Sequence, residues 1–123
     1  MITVPYHVWR SYGDTRILRD NYPAMRTFFQ FVRESAGADL LEPGRTTFFT
    51  NDWLHLDDPT EQGILGTAYY AENARMMAEV AGALGDESAS SDYRELSADI
   101  RNAFTQAYVS ADGTVKALRW LGP

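Results

Sequence analysis

Pro23-Ala24-Met25-Arg26-Thr27-Phe28-Phe29-Gln30-Phe31-Val32-Arg33-Glu34-Ser35-Ala36-Gly37 decides the fold class, because its large apolar residues return at helical and not at strand spacing. Met25, Phe28, Phe29, Val32 and Ala36 follow the i, i+3, i+4, i+7, i+11 pattern and form one broad apolar stripe. Pro23 suits a first turn, where its missing N–H leaves no bond unmade. Gly37 accepts the backbone conformations that end a helix. A helix with a single buried face is expected, and such a helix needs neighbours to cover it.

The neighbours are written in the same period. Upstream, Val4 to Tyr12 predicts a short helix with Val4, Val8 and Tyr12 on its inner side, stopped by Gly13. Asp14 is placed to cap a second short helical stretch ending near Asn21. Downstream, Ile64 to Leu84 predicts a long helix with Leu65, Tyr69, Met76, Met77, Val80, Ala81 and Leu84 toward the core, terminated by Gly85. Ser90 to Tyr108 predicts a last helix with Tyr93, Leu96, Ile100, Ala103, Phe104 and Ala107 on one face, and Asp112-Gly113 a turn beyond it. The architecture is therefore all-α, built of antiparallel helical hairpins. Its core should hold Met25, Phe28, Phe29, Val32, Met76, Val80, Ile100 and Phe104.

One stretch breaks the period. Residues 38–62 contain Pro43, Gly44 and Pro59 and are longer than most connections in compact domains, which points to a functional loop. Its centre reads Asn51-Asp52-Trp53-Leu54, a carboxylate beside the largest aromatic ring a protein has. Sugar recognition pairs an apolar ring face with hydrogen-bonding carboxylates, so Trp53 can stack on a pyranose and Asp52 can accept bonds from sugar hydroxyls. Each also has a plainer reading: Asp52 as a turn cap, Trp53 as an anchor pinning the loop to the core. His55, Asp57, Asp58 and Glu61 make the loop acidic, but the only other histidine, His7, lies on a separate helix, and no metal site is expected. Met76-Met77 and Phe28-Phe29 read as core.

Composition bounds the partners. The 123 residues are 45% hydrophobic and 13% aromatic, enough for a real core. A net charge of −6 argues against nucleic acid or an anionic membrane surface, both of which need a basic patch. Cysteine is missing, so disulfides and thiolate metal sites are excluded. The N-terminal residues show no basic segment followed by an apolar run, and with the cysteine usage this favours a cytoplasmic location. No glycine-rich phosphate loop, HExxH or serine elbow is present, so no cofactor is expected.

Taken in order, Val4-Pro5-Tyr6, Tyr12-Gly13-Asp14-Thr15-Arg16, Asn21-Tyr22-Pro23-Ala24-Met25, Asp52-Trp53-Leu54, Pro59-Thr60, Gly66-Thr67-Ala68-Tyr69 and Ala83-Leu84-Gly85 resemble the six-hairpin glycosidase domain of bacterial α-L-rhamnosidases. The resemblance covers residues 2–115 and implies part of an (α/α)6 toroid. It places Trp53 in the rhamnose pocket and, more weakly, Asp52 beside it. Asn51 stands where the family usually has glycine. Asparagine enters left-handed conformations better than most residues, so the turn can survive.

The same resemblance implies an inverting hydrolase of terminal α-L-rhamnosides. Its general acid belongs to an Asp-Glu-Arg motif before the matched region and its general base to a segment after it, so no catalytic residue is assigned within residues 1–123. A toroid of about twelve helices cannot close with roughly four. The chain thus reads as a segment of such a domain, inactive alone, with uncovered helix faces that invite self-association. The rival reading is a non-catalytic helical module whose exposed stripe binds a protein.

Overall fold

The computed structural model describes residues 1–45 and 60–115. It contains α1 (Thr3–Tyr12), α2 (Arg16–Ala36), α3 (Gln62–Ala83) and α4 (Glu87–Tyr108). Among the described residues the only β feature is an isolated antiparallel bridge between Val109 and Val115. The all-α reading holds, and no described helix is long and apolar enough to cross a membrane. The expected core is largely as read: Met25, Phe29, Val32, Met76, Val80 and Ile100 are buried, while Phe28 and Phe104 are half-buried.

α1 ends where Gly13 takes φ 72° and donates its N–H to the Trp9 carbonyl at 2.7 Å. Its inner face is not the expected one. Val4 is 68% and Tyr12 82% exposed, whereas Ile2, Pro5 and Tyr6 are buried. Both faces have helical spacing, and Tyr6 decides between them: its ring fills the core and its hydroxyl donates to Glu79 Oε2 on α3 at 2.7 Å.

α2 runs unbroken through Pro23, correcting the expectation of two shorter helices. The proline has no N–H for the Arg19 carbonyl, a real loss. Burial offsets it, because Leu18, Met25, Phe29, Val32 and Ala36 form one stripe that continues across the proline. Asp14 is not the expected N-cap, and it bonds the backbone only from one position before it. Thr15 holds the N-cap position, and Asp14 Oδ1 accepts the Arg16 N–H at 2.9 Å.

α3 is the central helix and is buried on several sides, so a single-stripe reading misplaces its tyrosines. Tyr70 is fully buried against Phe29, with ring centroids 5.8 Å apart, and Tyr69 is 57% exposed. Its small residues face α4. Ser90 Oγ donates to the Ala78 carbonyl at 2.8 Å and Ser97 Oγ to the Ala71 carbonyl at 3.1 Å, bonds that require the two helices to lie close. α4 begins at Glu87, before the expected Ser90, because Asp86 caps it by accepting the Ala89 N–H at 3.1 Å. The turn at Asp112-Gly113 is present, with Gly113 at φ 85°.

Candidate functional site

A well-bonded polar group in the described structure is Glu42, just before residues 46–59. It is fully buried. Its Oε1 accepts Ser35 Oγ at 3.0 Å and the Arg45 N–H at 2.9 Å, and its Oε2 accepts the Gly44 N–H at 2.9 Å. Its own N–H donates to Thr67 Oγ1 at 3.0 Å, 25 residues along the chain on α3. One residue thus ties the end of α2 and the turn at 43–45 through its carboxylate, and the first turns of α3 through its backbone. Burying it is tolerable because these donors replace water.

Glycines make room for it. A Cβ on Gly66 would run into the Glu42 carboxylate and lie 2.8 Å from its carbonyl oxygen, so only glycine fits there unless the backbone shifts. Gly44, at φ 88°, passes so close to Gln62 that an added Cβ would sit 2.5 Å from the Gln62 Cβ. The two described ends that flank 46–59 are therefore in contact. Leu40 turns into this region at φ 61°, a left-handed conformation uncommon for leucine.

Around this clasp lie further polar groups. Glu61 precedes α3, and Glu61 Oε2 and Gln62 Oε1 are buried atoms without a hydrogen-bond partner. The Tyr108 hydroxyl approaches Gly63, where a Cβ would lie 2.7 Å away. Burial, then the negative charge of Glu61, raises the Tyr108 pKa above the usual phenol value, with Thr67 pulling the other way. Tyr108 therefore stays a neutral hydroxyl at ordinary pH.

A second polar group joins α1 to α3. Arg75 donates to both oxygens of Glu72 at 2.8 and 2.6 Å and to Glu79 Oε1 at 2.6 Å, and its guanidinium lies over the Tyr6 ring. The bidentate bond from Arg75 holds Glu72 below the ordinary carboxylate range. These pairs are partly exposed and contribute little to stability. The open cleft beside them, about 410 Å³, is lined by Ala68, Ala71, Glu72, Arg75, Arg101, Phe104 and Thr105. Arg75 is already engaged there.

Trp53 and Asp52, the residues assigned to sugar from sequence, lie outside the described residues, as do Asn51, Leu54, His55, Asp57 and Asp58. Glu61 is described and sits at the clasp, and His7 is exposed on α1, edge-on to Tyr6. No group of three or more His, Cys, Asp or Glu side chains suited to a metal occurs among the described residues. Sequence reading missed Glu42. Its only local signal is an acid directly before Pro43-Gly44, and its partners Thr67 and Gly66 were noticed as motif residues without a physical role.

The family model for the bacterial alpha-L-rhamnosidase 6 hairpin glycosidase domain matches residues 1–119. The chain is similar to an alpha-L-rhamnosidase of Streptomyces avermitilis, 35% identical over 115 residues that make up 94% of this chain and 11% of that protein. It is also similar to an alpha-L-rhamnosidase of Formosa agariphila, 27% identical over 122 residues that make up 92% of this chain and 12% of that protein. The chain thus spans about a ninth of the length of these curated relatives. No solved structure matches it.

Proposed function

The chain belongs to the bacterial α-L-rhamnosidase six-hairpin glycosidase family, and we propose that it is a segment of such a glycosidase that supplies one wall of the sugar pocket. Trp53 presents its ring to a terminal rhamnose and Asp52 accepts a sugar hydroxyl, while the general acid and general base lie outside residues 1–123. The observation that carries this reading is the family match over nearly the whole chain, taken with the small share of each relative that the chain spans.

The carboxylates available support the division of labour. Inverting hydrolysis needs two carboxyl groups on opposite faces of the anomeric carbon, roughly 6.5–9.5 Å apart, one to protonate the leaving oxygen and one to activate water. Asp52, Asp57, Asp58 and Glu61 all belong to one connection between α2 and α3. Residues from one connection do not readily surround a substrate. Glu42, in the same connection, is buried and already accepts three hydrogen bonds.

The test uses both the piece and a complete homologous domain. The purified chain should not turn over an aryl α-L-rhamnoside; turnover that disappears with Asp52→Asn would overturn the assignment. In the complete domain, Trp53→Ala should raise KM with little change in Tm, as for a ring that serves the ligand more than the core. A large loss of Tm with unchanged kinetic constants would make Trp53 a packing residue.

A further inference from the structure

A cleft of about 350 Å³ runs between α2 and α4, with Arg26, Gln30 and Arg33 on one wall and Asp92, Tyr93 and Leu96 on the other. Arg26 and Arg33 stand two turns apart on one side of α2, roughly 10.5 Å along its axis, a gap that two arginine side chains span. Both are exposed. Among the described residues neither forms an ion pair; the pairs there join Arg16 to Asp14 and Arg75 to Glu72 and Glu79. Glu34, one residue on from Arg33, accepts the Gln30 NH2 at 3.0 Å instead. The fields of the two guanidiniums meet at the Tyr93 hydroxyl: burial raises its pKa, Arg26 and then Arg33 pull it back, and Asp86 opposes them. Arg26 also lies over the Tyr22 ring, 5.8 Å from its centroid, and the Tyr22 hydroxyl oxygen is buried without a hydrogen-bond partner.

We propose that this cleft is a binding site for a compact oxyanion, the phosphate or carboxylate of a small molecule, held between Arg26 and Arg33 with its body against Tyr93 and Leu96. A guanidinium presents paired N–H donors in one plane, which fits two oxygens of a single phosphate or carboxylate. Two guanidiniums facing one cleft therefore suit an anion with several oxygens, and the Tyr93 ring and Leu96 offer an apolar side to whatever carries it. A neutral sugar would leave both charges unmatched. A polyanion needs a longer basic track and would be repelled by a chain of net charge −6. Asp92 sets one opposing charge on the far wall, so it limits the affinity and supplies a test of where the anion sits. The cleft shares no residue with the sugar wall proposed above, and the two readings stand or fall separately.

The experiment is an NMR titration of the 123-residue chain at fixed ionic strength, with inorganic phosphate, D-glucuronate and neutral D-glucose as probes. Phosphate or glucuronate should shift the Nε–H signals of Arg26 and Arg33 saturably, with a millimolar Kd, and glucose should not. The ion that binds more tightly tells a phosphorylated from a carboxylated ligand. Arg33→Gln should weaken binding at least about fivefold, whereas Arg10→Gln, which removes the same charge from α1, should weaken it less than about twofold. Asp92→Asn should tighten it at least about twofold, a gain that a merely structural role for these side chains would not produce. All three replaced residues are exposed, so the amide spectrum of α3 should be unchanged in each variant. No saturable response to either ion would overturn the site. Equal losses in Arg33→Gln and Arg10→Gln would reduce it to diffuse attraction, and glucose binding as tightly as glucuronate would remove the role of charge. Unchanged or weaker binding in Asp92→Asn would overturn the placement of the anion between α2 and α4.

Discussion

The seam between α2 and α3 and the clasp around Glu42 are both buried, yet they are built by opposite means. In the seam, Met25, Phe29 and Val32 pack against a helix that supplies Tyr70, Ala74 and Met77, and exclusion of apolar surface from water holds it. In the clasp a single carboxylate is surrounded by donors and by glycines that yield space to it. A seam tolerates any side chain of the right size and greasiness. A clasp tolerates only the right atoms, because each donor left without an acceptor costs about 1–3 kcal/mol.

The seam breaks most completely when charge is forced into it. Phe29 is 2% exposed, and Ile100, which joins the same core cluster from α4, is not exposed at all. Phe29→Asp or Ile100→Asp should therefore cost on the order of 4 kcal/mol or more and unfold the chain at room temperature. Circular dichroism melts decide it. A cooperative transition at the original temperature would mean that these stripes are not the core.

The clasp should break more gently and by the smallest possible substitution. Gly66→Ala adds one methyl group where the Glu42 carboxylate and two backbone atoms already stand, and backbone cannot swing aside as a side-chain end can. A loss of about 1–3 kcal/mol is expected, although alanine is the better helix former by about 1 kcal/mol and would stabilise an open helix site. Urea titration measures the difference. A gain in stability would show that α3 does not approach residues 42–44 this closely.

The contrast also explains what could be read without a structure. The α2 stripe was legible because large side chains repeat along 21 residues and only one face can be buried. Even so, a stop was expected at Pro23: a local rule forbids the proline, and tertiary burial of Leu18 and Met25 on either side overrides it. On α1 two helical faces competed, and Tyr6 won through Glu79, a partner 73 residues away that no local pattern reveals. On α3, burial on several sides removes the one-sided signal, which is why Tyr69 and Tyr70 exchanged roles. Glu42 was illegible for the same reason as Tyr6, since its meaning depends on Thr67 and Gly66 across a gap of more than twenty residues. The roles proposed for Asp52 and Trp53 rest on resemblance to a family, since their neighbours in sequence alone do not distinguish a pocket from a turn.

The smallest expected effect concerns a third way of holding a carboxylate, at the surface. Asp14 accepts the Arg16 N–H at 2.9 Å and a forked guanidinium bond from the same residue, with a shortest contact of 2.6 Å, but unlike Glu42 it stands in water. These bonds, led by the side-chain bond from Arg16, lower its pKa from 3.8 to about 2. Because the folded value lies below the unfolded one, the contribution is fully present above pH 3.8 and disappears as pH falls through 3.8 toward about 2. Water and salt screen so exposed a pair, so the whole-chain melt should scarcely register it. The titration itself should. Followed by NMR at the Asp14 carboxyl carbon, the midpoint should lie near 2 in the unaltered chain and rise toward 3.8 in Arg16→Gln. An Asp14 midpoint that Arg16→Gln leaves in place would show that the fork is not formed in solution. The comparison would then sharpen to its essential term: a carboxylate holds the chain in a set direction when it is buried, as Glu42 is, and not merely when a partner lies within reach.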